Sequence, residues 1–254
     1  MADPLVHVDR HDDGVAVLRI DNPKANALSR EVLRQLHAAV STLGDDLPGA
    51  LVFTGGDRIF SAGAEISEFG GPEEAAVYGG EFRQTFDAVA AFPRATIAAI
   101  NGYALGGGCE MALACDIRYA SSNAKLGQPE VNYGLVPGWG GTQRLARTTT
   151  LGFAKELVLT GRLVDAEEAY RRGLVAGVHD PVLDKAYDTA RLTTKKGPEA
   201  LAAAKALLNR ALGGDHAANL QAEGEALAEV LPGAEAREGL AAFVEKRSPG
   251  FEQE

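Results

Sequence analysis

The sequence predicts a mixed α/β fold, and three features predict it. Short apolar runs typical of buried strands, such as Ala50–Thr54 and Ala95–Ile100, are each followed by a glycine-containing loop and a helical pattern. That succession favours a repeated β–β–α type unit. From Gly152 onward helical patterns follow one another and strand patterns almost disappear. We therefore expect a strand-containing core and a helical tail that covers the core or joins subunits.

The composition is typical of a soluble globular protein. The chain has 254 residues, 46% of them hydrophobic and 24% charged, which is enough to bury a sizeable core. Its start lacks the order of a signal peptide, and no apolar run approaches the roughly 20 residues of a membrane helix, so we expect no membrane span. The formal net charge of −10 disfavours nucleic acid as a partner, because sequence-independent binding needs basic patches.

The cysteines and histidines show no metal or disulfide pattern. Cys109 and Cys115 lie six residues apart on one predicted helix and point in different directions, so we expect two free thiols in a reducing cytoplasm. The five histidines are scattered and match no metal motif, which leads us to expect no metal site.

The N-terminal elements can be assigned from local patterns. Apolar or alternating runs at Val6–Asp9 and Val15–Ile20 flank a DDG turn, which predicts a hairpin. Ser29 is a plausible N-cap for a helix that ends near Leu43. An apolar stripe at helical spacing makes it a core-facing helix.

The middle of the chain carries one ambiguous helix. Residues 72–92 have apolar side chains near helical spacing, but Gly79 and Gly80 interrupt the first part. A broken helix here could be a mobile wall of a binding site or simply a poorly formed helix. Beyond it, a short strand is predicted at residues 116–120, and the loop 121–134 carries Glu130.

Two glycine-containing loops and two glutamates form a candidate site. The three glycines Gly106–Gly108 open a helix, where free N–H groups and the helix dipole can stabilise an oxygen that becomes negative. The loop Ser61–Glu65, SAGAE, offers similar donors, and the two loops would hold one carbonyl oxygen if they converge. Glu110 and Glu130 could transfer protons or hold a water. Covalent acyl transfer is disfavoured, because no Ser or Cys nucleophile is paired with a histidine base.

This combination resembles the enoyl-CoA hydratase/isomerase, or crotonase, superfamily, over nearly the whole chain. Six motifs carry the resemblance: PKANAL at Pro23–Leu28, FSAGAEI at Phe60–Ile66, NGYALGGGCE at Asn101–Glu110, GQPE at Gly127–Glu130, GWGGTQRL at Gly138–Leu145 and AFVEKR at Ala242–Arg247.

The resemblance implies an architecture and a ligand. It implies a spiral core of repeated β–β–α units over residues 1–195 and a C-terminal helical region, 196–254, that makes trimers, commonly paired into a hexamer. It also implies an acyl-CoA substrate, with coenzyme A as part of the substrate and no metal or redox cofactor.

The resemblance also assigns site residues. The N–H groups of Ala64 and Gly107 would form the oxyanion hole, and Glu110 and Glu130 would be the catalytic pair. Trp139 would wall the acyl pocket, or pack as an ordinary buried tryptophan. Residues expected to meet coenzyme A, largely through backbone groups, are Lys24, Ala25, Ala27, Ala62, Glu65 and Ile66.

The presence of both glutamates favours hydration of the 2,3 double bond of a 2-trans-enoyl-CoA, as in fatty acid β-oxidation. Glu110 is assigned mainly as the base towards water and Glu130 mainly as the proton donor. The alternatives are a Δ3,Δ2-enoyl-CoA isomerase and a non-catalytic acyl-CoA-binding protein.

At three places the sequence departs from the family pattern or leaves two alternatives open. Glu65 stands where the family usually has Asp, which bears on the shape of that loop. The segment after Glu130 is more polar than usual in the family, which weakens the expectation of a preference for long apolar acyl chains. Phe243 and Lys246 could reach the coenzyme A or the acyl mouth, or belong to an ordinary helix stripe with a solvated lysine.

Overall fold

A computed structural model describes residues 4–251. The strands are β1 Val6–Arg10, β2 Val15–Ile20, β3 Ala50–Thr54, β4 Ala95–Ile100, β5 Tyr103–Leu105, β6 Ile117–Ala120, β7 Lys125–Gly127, β8 Leu163–Asp165 and β9 Gly177–Val178. The α-helices are α1 Arg30–Asp45, α2 Pro72–Ala91, α3 Gly107–Ala114, α4 Gly141–Thr148, α5 Leu151–Thr160, α6 Ala166–Arg171, α7 Val182–Thr193, α8 Pro198–Arg210, α9 His216–Val230 and α10 Ala234–Glu245. Two short 3-10 helices span Ile66–Glu68 and Glu130–Tyr133.

A six-stranded sheet with the order β1-β2-β3-β4-β6-β9 organises the core. The strands β1 and β2 pair antiparallel, with Val6 opposite Ile20, which confirms the predicted hairpin. Every other neighbouring pair in this sheet is parallel. Because parallel strands end at the same edge, the loops that follow β3 and β4 leave the sheet side by side.

A second, smaller layer lies beyond that edge. It consists of the sheet β5-β7-β8 and two isolated parallel bridges, Leu28 with Ala64 and Ser61 with Ala104. Successive passes of the chain therefore place one strand in the large sheet, one short strand or bridge in the second layer, and then a helix. This arrangement confirms the predicted spiral of β–β–α units. The division into regions 1–195 and 196–254, which falls between α7 and α8, stays a prediction.

Helices cover both faces of the large sheet. The helix α1 is capped by the Ser29 side chain, which accepts a hydrogen bond from the Val32 amide at 3.3 Å, and it runs slightly beyond the predicted end. Its apolar stripe enters the main core, where each fully buried aliphatic side chain contributes about 1.5–3 kcal/mol. On the opposite face, α7 packs Ala186 and Ala190 against a second cluster that includes Val52.

The helix α2 is continuous, so the expected interruption at Gly79 and Gly80 is wrong. Four of its side chains are fully buried: Tyr78, Phe82, Phe86 and Val89. Their burial outweighs the cost of two helical glycines, about 1 kcal/mol each. Gly79 also permits a close approach, because a Cβ there would lie 3.0 Å from Nε1 of Trp139. No helix within residues 4–251 is long and apolar enough to cross a membrane.

Candidate active site

The two glycine-containing loops converge. The Ser61 amide donates to the Tyr103 carbonyl at 3.0 Å, and the Leu105 amide donates back to the Ser61 carbonyl at 3.0 Å. A Cβ on Gly63 would lie 3.5 Å from the Gly107 nitrogen. The loops that follow β3 and β4 therefore meet where the sequence places its two backbone donors.

Both candidate donors are free amides. Leu28 donates to the Gly63 carbonyl at 2.8 Å and accepts from the Glu65 amide at 3.4 Å, so the Ala64 amide between them faces away from this bridge. Gly107 is the first residue of α3, where helical amides have no intrahelical acceptor. Within residues 4–251 neither amide has an acceptor, which leaves two adjacent donors for a ligand oxygen.

The glycine run is required by close contacts. Gly106 has φ +51° and ψ −122°, a conformation that side chains disfavour. A Cβ on Gly108 would lie 2.3 Å from the Ser61 carbonyl oxygen. The turn therefore excludes side chains and lets the two loops approach each other.

Glu110 is fully buried in the first turn of α3. Its Oε1 accepts hydrogen bonds from the amides of Trp139, at 2.8 Å, and Gly141, at 2.7 Å. Its Oε2 has no partner in the described part of the chain. Burial raises the pKa of Glu110, although the two backbone hydrogen bonds oppose this shift.

Glu130 begins the short 3-10 helix that follows β7. Neither of its buried carboxylate oxygens has a partner among the described residues. Burial, with a smaller contribution from the charge of Glu110, raises the pKa of Glu130 to about 7. A Cβ on Gly106 would lie 2.8 Å from Oε1 of Glu130, so this carboxylate lies against the glycine turn that precedes Gly107.

The structure thus places two free amides and two buried carboxyl groups in one site. Amides aimed at one oxygen can stabilise a developing oxyanion. Carboxyl groups whose pKa is raised towards neutrality can take up and deliver protons at neutral pH. The three unpartnered oxygens of the pair can also accept hydrogen bonds from a bound water.

The segments predicted to meet coenzyme A lie against each other. The Ala62 amide donates to the Ala25 carbonyl at 3.0 Å, which joins the loop that carries Lys24 and Ala27 to the loop that carries Ala64. Lys24 has φ +82°, and Ile66 is 67% exposed. These residues therefore form one partly exposed edge beside the free Ala64 amide.

Glu65 is accommodated in the loop where the family usually has aspartate. Its Oε1 accepts hydrogen bonds from the Ser67 amide, at 3.2 Å, and from the Ser67 hydroxyl, at 2.7 Å. These bonds, together with the charge of Lys24, lower the pKa of Glu65. The longer side chain thus caps the short helix Ile66–Glu68 and leaves the Ala64 amide free.

Trp139 lies next to Gly107 and stacks on Phe82. The two rings are nearly parallel, at 4°, with centroids 3.7 Å apart. A Cβ on Gly107 would lie 3.2 Å from each of them. Trp139 therefore packs in the protein and at the same time borders Gly107. Its role as a wall of the acyl pocket stays a prediction.

Sequence reasoning did not identify two residues that hold the loops together. The amide group of Asn26 donates to the carbonyls of Gly55, at 2.8 Å, and Ile59, at 2.9 Å. The Ser61 hydroxyl donates to the Asn26 carbonyl at 2.7 Å and accepts from the Gly63 amide at 3.2 Å. The residue type could have indicated Asn26, because Asn is enriched at positive φ and Asn26 has φ +48°.

The C-terminal motif stays apart from the site in the single chain. Phe243 is 83% exposed on α10, and Lys246 ends that helix with φ +55°. Among residues 4–251, no hydrogen bond, ion pair or ring contact joins either residue to the two glycine-containing loops. The same part of the chain contains no group of three His, Cys, Asp or Glu that could hold a metal ion.

Known proteins resemble this chain over nearly its whole length. The family model described as enoyl-CoA hydratase/isomerase matches residues 10–254. A probable enoyl-CoA hydratase of Mycobacterium tuberculosis is 40% identical over 244 residues, which cover 94% of this chain and 95% of that protein. A crotonyl-CoA hydratase of Syntrophomonas wolfei is 40% identical over 248 residues, with 94% and 95% covered.

The fold also matches that of a solved structure over nearly the whole chain. The crystal structure of an enoyl-CoA hydratase from Bacillus anthracis superimposes with a TM-score of 0.94 at 36% identity, covering 98% of this chain and 100% of that one. Sequence motifs, spiral fold and convergent loops agree with these matches. The chain is a member of the enoyl-CoA hydratase/isomerase family.

Proposed function

We propose that this protein is an enoyl-CoA hydratase, which adds water to the 2,3 double bond of a 2-trans-enoyl-CoA to give a 3-hydroxyacyl-CoA. One observation carries the proposal: buried carboxylate oxygens of Glu110 and Glu130 that have no partner among the described residues lie beside two free, adjacent backbone amides. Hydration needs both parts of this arrangement. The amides polarise the acceptor carbonyl, and the carboxyl pair handles the water and the two protons.

The reaction begins at the thioester carbonyl. The amides of Ala64 and Gly107 donate to its oxygen, which draws electron density from C3 and stabilises the enolate that forms. A water held between Glu110 and Glu130 then adds to C3. Its oxygen forms the new C–O bond and one of its protons passes to Glu110.

Glu130 completes the addition by delivering a proton to C2. A pKa of about 7 suits this role, because a large fraction of Glu130 carries its proton at neutral pH. Glu110, whose Oε1 accepts two backbone hydrogen bonds that favour its ionised form, is the carboxylate available to take the proton of the water. The two groups titrate as a coupled pair, and the division of roles is part of the proposal.

Coenzyme A lies along the exposed edge that carries Lys24, Ala25, Ala27, Ala62, Glu65 and Ile66 in this proposal. The edge lies beside Ala64, so a pantetheine chain that follows it delivers the thioester to the oxyanion donors. Trp139 and Phe82 then border the acyl group on the Gly107 side.

Crotonyl-CoA tests the activity directly. We expect the absorbance of the conjugated enoyl thioester to fall when the protein is added. Conversion of a 3-enoyl-CoA without hydration of crotonyl-CoA would instead identify an isomerase. Tight acyl-CoA binding without turnover over a panel of chain lengths would identify a binding protein.

The proposal extends to assembly and setting. Exposed leucines on α8, α9 and α10 and in the turns between them support association through this region into a trimer or hexamer: Leu208, Leu212, Leu220, Leu227, Leu231 and Leu240. Light scattering that gave a single chain mass would contradict this assembly.

We place the protein in the cytoplasm, in fatty acid β-oxidation, where the buried thiols of Cys109 and Cys115 stay free. Full activity after dialysis against a chelator is the expected result for a reaction without a metal cofactor.

A further inference from the structure

Tyr78 is a buried tyrosine to which the mechanism above gives no role. It lies on α2 with no solvent exposure. Its hydroxyl donates a hydrogen bond to the Leu28 carbonyl and accepts one from the Glu65 amide at 3.1 Å. Leu28 is 50 residues away in sequence, so one side chain joins three separate segments.

The two partners of this hydroxyl flank the Ala64 amide. Leu28 is the bridge partner of Ala64, and Glu65 directly follows Ala64 in the chain. The direct bond from the Glu65 amide to the Leu28 carbonyl is long, at 3.4 Å. The Tyr78 hydroxyl bonds to both of these groups and so completes the bridge that orients Ala64.

The ring of Tyr78 belongs to the aromatic cluster beside Gly107. Its centroid lies 5.4 Å from that of Phe69, 4.9 Å from that of Phe82 and 6.2 Å from that of Trp139. Phe82 and Trp139 also border Gly107. One packed cluster therefore contacts Gly107 directly and contacts the loop of Ala64 through the hydroxyl.

We propose that Tyr78 is a positioning residue, whose hydroxyl fixes the Ala64 amide relative to the Gly107 amide so that both donate to the same thioester oxygen. A packing role needs only the ring, whereas the hydroxyl bonds to both groups that flank Ala64. Burial raises the pKa of Tyr78, which keeps the hydroxyl neutral and able to donate. The proposal rests on the proposed function for the identity of the ligand.

The test variant is Tyr78→Phe, which keeps the ring and removes only the hydroxyl. We expect kcat on crotonyl-CoA to fall about tenfold to a hundredfold, less than the loss of a whole oxyanion donor, while KM changes by less than about threefold. The matched control is Tyr170→Phe on α6, whose side chain is exposed and outside the site. It should leave both constants unchanged.

A spectroscopic measurement separates positioning from stability. A conjugated acyl-CoA such as cinnamoyl-CoA should show a red shift of its absorbance when bound to the wild type, because the two amides polarise its carbonyl. In Tyr78→Phe that shift should shrink, even at temperatures where the variant is fully folded. A variant with lower thermal stability but an unchanged red shift would show a structural role and overturn the proposal, as would unchanged kcat.

The same measurement distinguishes failure of the inference from failure of the proposed function. A wild type that shows the red shift but hydrates no enoyl-CoA would contradict the hydratase function. The size of the red shift in Tyr78→Phe would still test the role of Tyr78. A wild type that shows no red shift with a bound conjugated acyl-CoA would overturn the oxyanion site and the role of Tyr78 together.

Discussion

Glu110 and Gly141 are joined by a 2.7 Å hydrogen bond in which the first amide of α4 donates to Oε1 of the carboxylate. The Trp139 amide donates to the same oxygen. These two bonds fix the orientation of the carboxyl group and leave Oε2 as its available oxygen. A helix N-terminus also favours the negative charge of the residue it contacts.

Glu110→Gln should lower kcat on crotonyl-CoA by about 10²–10⁴, the usual contribution of a positioned base. The amide oxygen of glutamine can still accept from Trp139 and Gly141, so the fold and the affinity for acyl-CoA should change little. Steady-state kinetics and calorimetric binding would measure both. The matched control is Glu225→Gln on the exposed surface of α9. Wild-type turnover in Glu110→Gln would remove Glu110 from its assigned role.

The pH dependence of kcat/KM should show an alkaline limb near pH 7. In the proposed mechanism Glu130 donates a proton and must therefore be protonated, and its pKa is raised to about 7. Hydration should therefore weaken as the pH rises through that value, since kcat/KM reports groups of the free protein. Glu130→Gln should retain little activity and lose this limb. A wild-type profile flat from pH 6 to pH 9 would contradict the assignment.

Glu130→Gln should also be more stable than the wild type at high pH. The folded state raises the pKa of this carboxyl, so its contribution to stability is fully present below the unfolded pKa of about 4.5 and is lost as the pH rises towards about 7. The neutral amide avoids that loss. We expect a melting temperature higher by about 2–4 °C at pH 8 and no such gain at pH 4.5. An equal difference in melting temperature at both pH values would show that ionisation of Glu130 does not cause the stabilisation.

Gly106→Ala should reduce activity more than stability. The conformation of Gly106 disfavours any side chain, at a cost of about 1–3 kcal/mol. The new methyl group would also lie 2.8 Å from Oε1 of Glu130 and displace the flexible carboxylate. A displacement of about 1 Å can lower turnover about a hundredfold. The control is Gly80→Ala on α2, where a Cβ meets nothing within 4 Å; it should be active and slightly more stable.

Trp139→Ala should extend the range of acyl chains that the protein accepts. The indole and the stacked ring of Phe82 occupy the space beside Gly107. Removing the indole should raise the ratio of kcat/KM for a ten-carbon enoyl-CoA to that for crotonyl-CoA about tenfold or more. Trp139→Phe retains an aromatic ring that can stack and serves as the control. An unchanged ratio would restrict Trp139 to packing.

Local patterns were sufficient to predict much of this molecule. The Ser29 cap, the hairpin and the buried strands each depend on a few neighbouring residues, so they could be recognised without tertiary information. The glycines and glutamates of the site lie within short motifs, so they could be recognised in the same way. The motifs also implied the spiral, which no single segment displays.

Long-range contacts could not be predicted from these local patterns. The continuity of α2 depends on aromatic burial that outweighs two glycines, and its spacing alone indicated an interruption. Tyr78 and Asn26 resemble ordinary core and loop residues until their partners, about 30 to 50 positions away, are known. Their roles come from tertiary packing, which periodicity and local propensity do not encode.

The proposed oxyanion donors are main-chain groups, and this determines what mutagenesis can detect. Position 64 is already alanine, so an alanine scan would skip it. At Gly107 the same scan would add a methyl group against two aromatic rings and report crowding. Side-chain truncation would therefore identify the carboxylates and overlook the other half of the site. Replacing the individual peptide bonds with esters, which removes one N–H at a time, is the substitution that addresses these donors.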